Sequence, residues 1–410
     1  MQGIKNVLYI SYDGMTDSLG QSQVIPYLIG LSKKGYSFTI LSCEKKDNYQ
    51  SNSGIIANVL SSNNIKWEPV FYTKNPPVLS TLYDYYNLIN KARSLHVKHS
   101  FNMLHCRSYI SSLVGLWMKR KYDIPFIFDM RGFWANERVD GGLWNIKKPL
   151  FKIIYSFFKK KELEFINKSA AVISLTEKGK HEILTWKELQ FTGDKIVVIP
   201  CCVDTDLFDP GRVDAEQQKI LRQKLNISNQ NLVVGYLGSI GTWYLLDEMM
   251  EFFACLKKQV PLAKFLFVTH DDETKVIDAA KRKYINTDDI IVTKAGRQEV
   301  PVMISLFTYG LFFIKPSYSK MASSPTKQGE IMAMNVPVIC NSGVGDTDTI
   351  VNKYNSGIIV NFTDYNQAVY QIANSNLINS NIRPGAIDYF SLDNGVKKYY
   401  DVYRSITLNS

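Results

Sequence analysis

Ser323-Ser324-Pro325-Thr326-Lys327-Gln328-Gly329-Glu330 gathers residue types that suit an anion site. Ser324 can cap a helix, and Pro325 fits a first helical position, where its missing N–H would go unpaired anyway. The N–H groups of Thr326, Lys327 and Gln328 would then point out of the helix end. Such an end carries partial positive charge and receives phosphate readily. Lys327 adds a full charge and Thr326 a hydroxyl. Glu330, about one turn further in, could accept two hydrogen bonds from a diol such as a ribose. An ordinary capped helix between two strands is the competing reading.

Other loops offer similar chemistry. Gly20-Gln21-Ser22 follows an apolar run and could open a helix that binds an anion or an acceptor sugar, or simply form a tight turn. Asp129 and Arg131, in Phe128-Asp129-Met130-Arg131-Gly132-Phe133-Trp134, make either a polar clamp for sugar and phosphate or a structural ion pair. Arg107-Ser108 is a further candidate after another strand. Tyr236-Leu237-Gly238-Ser239-Ile240-Gly241-Thr242 lets a phosphate approach the backbone, with Ser239 and Thr242 supplying hydroxyls. Arg297, after its own strand, offers a nucleotide contact or a solvated surface charge.

The elements that must position these loops alternate. Short apolar runs at 6–11, 38–43, 67–72, 102–106, 125–130, 171–175 and 196–199 read as buried strands separated by helical patterns. The rhythm repeats at 232–237, 263–269, 289–292, 310–314, 337–340 and 357–360. Alternation of this kind predicts an α/β chain of two doubly wound parallel sheets. Ligands of such sheets bind outside the carboxyl ends of the strands, so two of them facing each other predict a cleft. The domains are expected at 1–202 and 203–385, each Rossmann-like. A helical tail, 386–410, rich in tyrosine, is expected to dock back on the first domain.

At 410 residues the chain is long enough for two domains with substantial cores. Its net charge of +10 favours an anionic partner, yet no nucleic-acid-binding motif stands out. The six cysteines and five histidines are scattered, which fits free thiols in a reducing compartment and predicts no metal site. No export signal or span of ~20 apolar residues is evident, so a cytoplasmic protein is expected. The absence of a G-x-S-x-G elbow and of a P-loop lysine argues against an esterase and a P-loop ATPase.

Taken together, these pieces resemble the retaining GT-B glycosyltransferases of family four, the nucleotide-sugar-dependent enzymes that build bacterial surface polysaccharides. Asp13-Gly14 with Leu19-Gly20-Gln21-Ser22-Gln23 resembles the family's amino-terminal glycine loop. Asp129-Met130-Arg131-Gly132-Phe133-Trp134 resembles its acid–x–Arg segment, and Ile199-Pro200-Cys201-Cys202-Val203-Asp204 its crossover between domains. Gly238-Ser239 and Ser324-Pro325-Thr326-Lys327-Gln328-Gly329-Glu330 resemble its donor-binding loops.

The resemblance implies a hexosyltransferase needing neither metal nor cofactor. Glu330 would hold the donor ribose. Lys327, the backbone at 326–327 and Arg297 would hold the diphosphate and stabilise it as it leaves. Gly238, Ser239, Thr242, Ser324 and Thr326 would line the donor side; Gly20, Gln21, Ser22 and Arg107 the acceptor side. Asp129 and Arg131 would act in the reaction zone. Two departures stand out. The family's second glutamate is replaced by Ala322, and Trp243 and Tyr244 occupy the neighbourhood of its basic residue.

Residues 147–161 hold six lysines and no acid, interleaved at helical spacing with Leu150, Phe151, Ile153, Ile154, Tyr155, Phe157 and Phe158. They predict either a helix resting on anionic lipid, natural for a lipid-linked acceptor and a peripheral membrane enzyme, or a crossover helix with solvated lysines. The expected partners are thus a nucleotide sugar and a glycan or lipid-linked acceptor, not nucleic acid. The competing functions are a nucleotide-sugar epimerase of the same architecture, which needs an acid–base pair, and a non-catalytic two-domain sugar-binding protein.

Overall fold

The computed structural model describes residues 5–191, 193–374 and 382–408. The chain divides into two compact units, one formed by residues 1–200 together with 392–410 and the other by 201–391.

The first unit is built on a seven-stranded sheet: β1 (Lys5–Ser11), β2 (Tyr36–Glu44), β3 (Lys66–Phe71), β4 (Met103–Arg107), β5 (Phe126–Asp129), β6 (Ala171–Ser174) and β7 (Ile196–Val198). Its order is β3-β2-β1-β4-β5-β6-β7, and every pair is parallel. Helices cover both faces of such a sheet, which is why Val7, Leu8, Ile10, Ile40, Leu104, Phe126 and Ile127 are wholly buried with no polar alternation. The order reverses between β1 and β4, and that switch point opens a crevice at the carboxyl ends of the strands. Arg107 lies there, opposite Ser11 on one side and Asp129 on the other.

The second unit has six parallel strands: β8 (Val233–Leu237), β9 (Lys264–Val268), β10 (Ile290–Thr293), β11 (Tyr309–Phe312), β12 (Val338–Asn341) and β13 (Gly357–Val360). The order is β10-β9-β8-β11-β12-β13, so the switch point falls between β8 and β11. Gly238 follows β8, and the helix Thr326–Ala333 is the connection from β11 to β12. That helix is buried from Lys327 to Ala333, which fixes its start firmly against the unit.

All the strands expected from apolar runs are present, within two residues at their ends. The tail differs. The helix Ile382–Phe390 belongs to the second unit, and only Leu392–Leu408 joins the first. Arg383 explains the difference, because its guanidinium donates to the carbonyls of Thr205 at 2.9 Å and Ala333 at 2.6 Å. Phe390 O then accepts the Val203 N–H at 2.7 Å. The helix Leu392–Leu408 buries Val396, Tyr399, Val402, Tyr403 and Ile406, one stripe at helical spacing. Tyr399 meets Tyr27 edge-on and Tyr403 meets Tyr36, with centroids 5.4 and 5.1 Å apart.

The helix Pro149–Lys168 begins at its proline, as the spacing predicts, and buries Phe158, Glu162, Phe165 and Ile166. Its first half leaves Leu150, Ile153 and Phe157 exposed. Among the described residues, no helix is long and apolar enough to cross a membrane.

Candidate active site in two halves

In the second unit the chemistry centres on Lys327. Its side chain is 7% exposed, and its Nζ lies 3.6 Å from the ring centroid of Tyr244 and 4.1 Å from that of Tyr236. No hydrogen-bond acceptor meets the amine among the described residues. Burial drives its pKa well below the ordinary amine value, while the charge of Glu330 pulls the other way. Burial also pushes the phenol of Tyr244 up to about 12 and that of Tyr236 higher still, so both rings stay neutral. A neutral ring face attracts a cation but cannot neutralise it. The amine is thus held in place and left without a counter-ion.

The glycine loop is fitted over this amine. Gly238 adopts φ +100°, a conformation that favours glycine, and a Cβ there would lie 3.6 Å from Lys327 Nζ. The Tyr236 hydroxyl donates to Ser239 O at 2.5 Å, and Asp271 accepts both the Ser239 hydroxyl, at 3.0 Å, and the Ile240 N–H. Ser239 and Thr242 are exposed.

The helix start departs from expectation at its cap. Pro325 itself is the N-cap and makes no side-chain cap bond. The Ser324 hydroxyl accepts the Cys201 N–H at 3.2 Å instead, tying the crossover to this loop. Gln328 N–H bonds back to Pro325 O at 3.1 Å, so the donors left at the helix end are those of Thr326 and Lys327. Glu330 is ion-paired with Arg297, whose guanidinium also lies 4.7 Å over the ring of Phe208. The two residues expected at separate parts of a donor therefore act as one pair here.

In the first unit the candidate residues gather at the switch point. Arg107 Nε donates to Asp13 at 3.3 Å, its Nη1 lies 3.9 Å from Asp129, and Arg131 Nη1 lies 3.8 Å from the other oxygen of Asp129. Arg131 holds φ +57°, a left-handed conformation uncommon for a residue with a side chain. Arg107 and Asp129 are both buried. Burial alone would raise the Asp129 pKa, but Arg131, the hydrogen bond and charge of His105, and Arg107 outweigh it and keep the carboxyl below its ordinary range.

Gly20 lies in a short helix, Ser18–Gln23, that starts two residues earlier than the sequence reading places it. The Gln21 N–H already bonds to Asp17 O at 3.1 Å, so it is not a free donor, while Gly20 lies in the first turn, whose N–H groups have no acceptor within the helix. Ser22 Oγ donates to Ser18 O at 2.8 Å, and the Gln21 amide to Thr16 O at 3.1 Å. Gly20 is closely packed: a Cβ there would come within 2.3 Å of Gly14 O. Glu44 fixes the same loop from the end of β2, accepting the N–H groups of Met15 at 2.7 Å and Thr16 at 3.2 Å.

Sequence reasoning missed Tyr236 and Tyr244 as the walls around Lys327. It also missed His105, Tyr399 and Tyr403 beside Asp129. The aromatics flanking the glycine loop were the available signal for the first pair. The second group spans up to 298 residues of chain, where spacing carries no signal.

Comparison with known proteins agrees with this architecture. The Glycosyltransferase Family 4 model matches residues 24–207, and the Glycosyl transferases group 1 model matches residues 217–379. No curated protein sequence matches the chain. Among solved structures, a glycosyltransferase from Rickettsia africae superposes with a TM-score of 0.71 at 17% identity, covering 99% of this chain and 100% of that one. Anabaena HepE in complex with UDP-glucose gives 0.69 at 13% identity, covering 98% and 99%. A UDP-GlcNAc 2-epimerase from Neisseria meningitidis gives 0.61 at 13% identity, covering 98% and 100%. At such identities the likeness is one of fold, and the assignment rests on the family matches across both halves. The chain is a glycosyltransferase of the two-domain GT-B type.

Proposed function

We propose that the protein transfers a hexosyl residue, with retention of configuration, from a nucleotide sugar to a polysaccharide or lipid-linked oligosaccharide. The observation that carries this reading is the unpaired Lys327 amine, buried beside a glycine loop and a helix start. A buried cation with no counter-ion is completed by an anionic ligand. The diphosphate of a nucleotide sugar supplies that anion, and the N–H groups of Thr326 and Lys327 add donors to it. In this reading Lys327 neutralises charge that grows on the diphosphate as the glycosidic bond breaks, and that is electrostatic catalysis without a metal ion or cofactor. The second oxygen of Glu330 takes the ribose diol, with Arg297 holding the carboxylate in place. Asp129, Arg131 and Arg107 serve the acceptor side.

The proposed site of action is the cytoplasmic face of a membrane. Support comes from the exposed Leu150, Ile153 and Phe157, which lie at spacings of three and four residues among the lysines of 147–161. Each lysine near an anionic surface contributes about 1 kcal/mol.

Thermal denaturation with UDP, GDP, ADP and dTDP tests the donor assignment. One of the four is expected to stabilise the protein by about 2.7 kcal/mol at a hundred times its Kd. Lys327→Ala should abolish that response. A protein indifferent to all four would overturn the reading.

A further inference from the structure

The helix Leu392–Leu408 does more than close the first sheet. Tyr403 meets His105 Nδ1 through its hydroxyl at 2.6 Å. The opposite nitrogen of the ring, Nε2, lies 3.4 Å from Asp129 Oδ2. Tyr399 donates to the same oxygen at 3.3 Å. Asp129 Oδ1, by contrast, is buried and has no hydrogen-bond partner among the described residues. The carboxylate is therefore hydrogen-bonded through one oxygen, while the other faces Arg131 Nη1 at 3.8 Å without a hydrogen bond.

The donor and acceptor roles follow from the chemistry. Asp129 is ionised and can only accept, so Nε2 carries the imidazole proton and Nδ1 must accept from the Tyr403 hydroxyl. Burial, foremost, holds the Tyr403 phenol far above its ordinary pKa, so it keeps the proton it donates. Burial also lowers the pKa of His105, assisted by Arg107 and Arg131 and opposed by Asp129. The other groups around the ring are Tyr9 from β1, with centroids 4.5 Å apart, Tyr399, and the neighbouring Cys106 on β4. Tyr9 and Cys106 are both pushed up by burial and are neutral.

We propose that Tyr403 and Tyr399 are positioning residues, which fix Asp129 Oδ2 through His105 and directly, so that Oδ1, beside Arg131, is the oxygen left to accept a hydroxyl of the acceptor sugar. The helix Leu392–Leu408 thus adds two tyrosines to the groups that orient Asp129 at the end of β5. The role given to Oδ1 rests on the glycosyltransferase reading; the hydrogen-bonded chain Tyr403–His105–Asp129 does not.

Two phenylalanine variants test the proposal while keeping the ring packing. In Tyr403→Phe, Nδ1 loses its donor and becomes free to take a proton. The pH at which His105 titrates, followed by its ring ¹⁵N resonances without substrate, should rise, and the acid limb of the pH–rate profile should move with it. In Tyr399→Phe, kcat should fall about tenfold with the donor KM unchanged, the equivalent of one net hydrogen bond. A purely structural role would lower the melting temperature of both variants and leave the His105 titration, the pH profile and kcat where they were, and that result overturns the proposal. A shifted His105 titration in a protein that transfers no sugar would instead uphold the relay and refute the transferase reading.

Discussion

Lys327 and Asp129 are both ionisable, both buried, and both placed at the carboxyl-end side of a parallel sheet near its switch point. Their surroundings are opposite. Asp129 is met by two arginines, a histidine and a tyrosine, and its charged form is the favoured one. Lys327 is met by two aromatic faces and, among the described residues, by no acceptor, and its charged form is disfavoured. The carboxylate of the first unit is met by charges on both oxygens. The amine of the second unit has no hydrogen-bond acceptor among the described residues. A buried charge that is already paired holds a shape, whereas one left unpaired holds affinity in reserve.

If this contrast is real, removing each group has a different signature. Asp129→Ala removes the buried carboxylate that faces Arg107 and Arg131, and the first unit should lose about 3–5 kcal/mol, measured by urea denaturation. A loss below about 1 kcal/mol would mean that the other partners of these arginines, such as Asp13 for Arg107, suffice, and the contrast would fail. Lys327→Met should instead leave stability within about 1 kcal/mol, since it replaces a strained buried cation by a chain of similar volume. Its cost appears in turnover, with kcat reduced about 10²–10³-fold, the range seen when one charge-stabilising donor is removed. A large loss of stability in this variant would show that the amine is paired in the folded protein.

A smaller effect separates the two by pH. Folding lowers the pKa of Asp129, so its contribution is present above the ordinary carboxylate range and is lost as pH falls through the folded value. Folding also lowers the pKa of Lys327, so the unfolded chain binds one more proton between that lowered value and the ordinary amine range. Stability should therefore rise with pH in this alkaline window, by at most about 1.4 kcal/mol per pH unit for one proton. Calorimetry across pH 7–10 should show a gentler slope in Lys327→Met than in the parent protein. Identical slopes would place the amine at its ordinary pKa.

The sheets were legible in the sequence because a strand buried on both faces must be a short run of apolar residues. Val7–Ile10 and Val338–Cys340 could hardly be anything else. The Lys327 site was legible in part, since proline, lysine and glycine at fixed offsets define a helix start. What the sequence hid were the partners. Trp243 and Tyr244 read as a missing cation, yet Tyr244 is what steadies Lys327, and Lys320 Nζ lies 3.9 Å over Trp243. The cap at Ser324 was misplaced because its hydroxyl is taken by Cys201, 123 residues away. Arg297 and Glu330 each matched a ligand role, and only coordinates show that they first satisfy each other.

The first unit is discontinuous: its sheet ends by Pro200, but Tyr399 and Tyr403 lie beyond the whole of the second unit. On the ribosome, residues 201–391 emerge before the helix that completes the unit begun earlier. At 5–20 residues per second the sheet of the first unit waits roughly 10–40 s for its last helix. During that interval Tyr27 and Tyr36 lack the ring contacts that this helix brings. The second unit is contiguous in sequence and can be finished while its neighbour is still open. The later-made domain is therefore the first able to mature, the reverse of the order in which the two are translated.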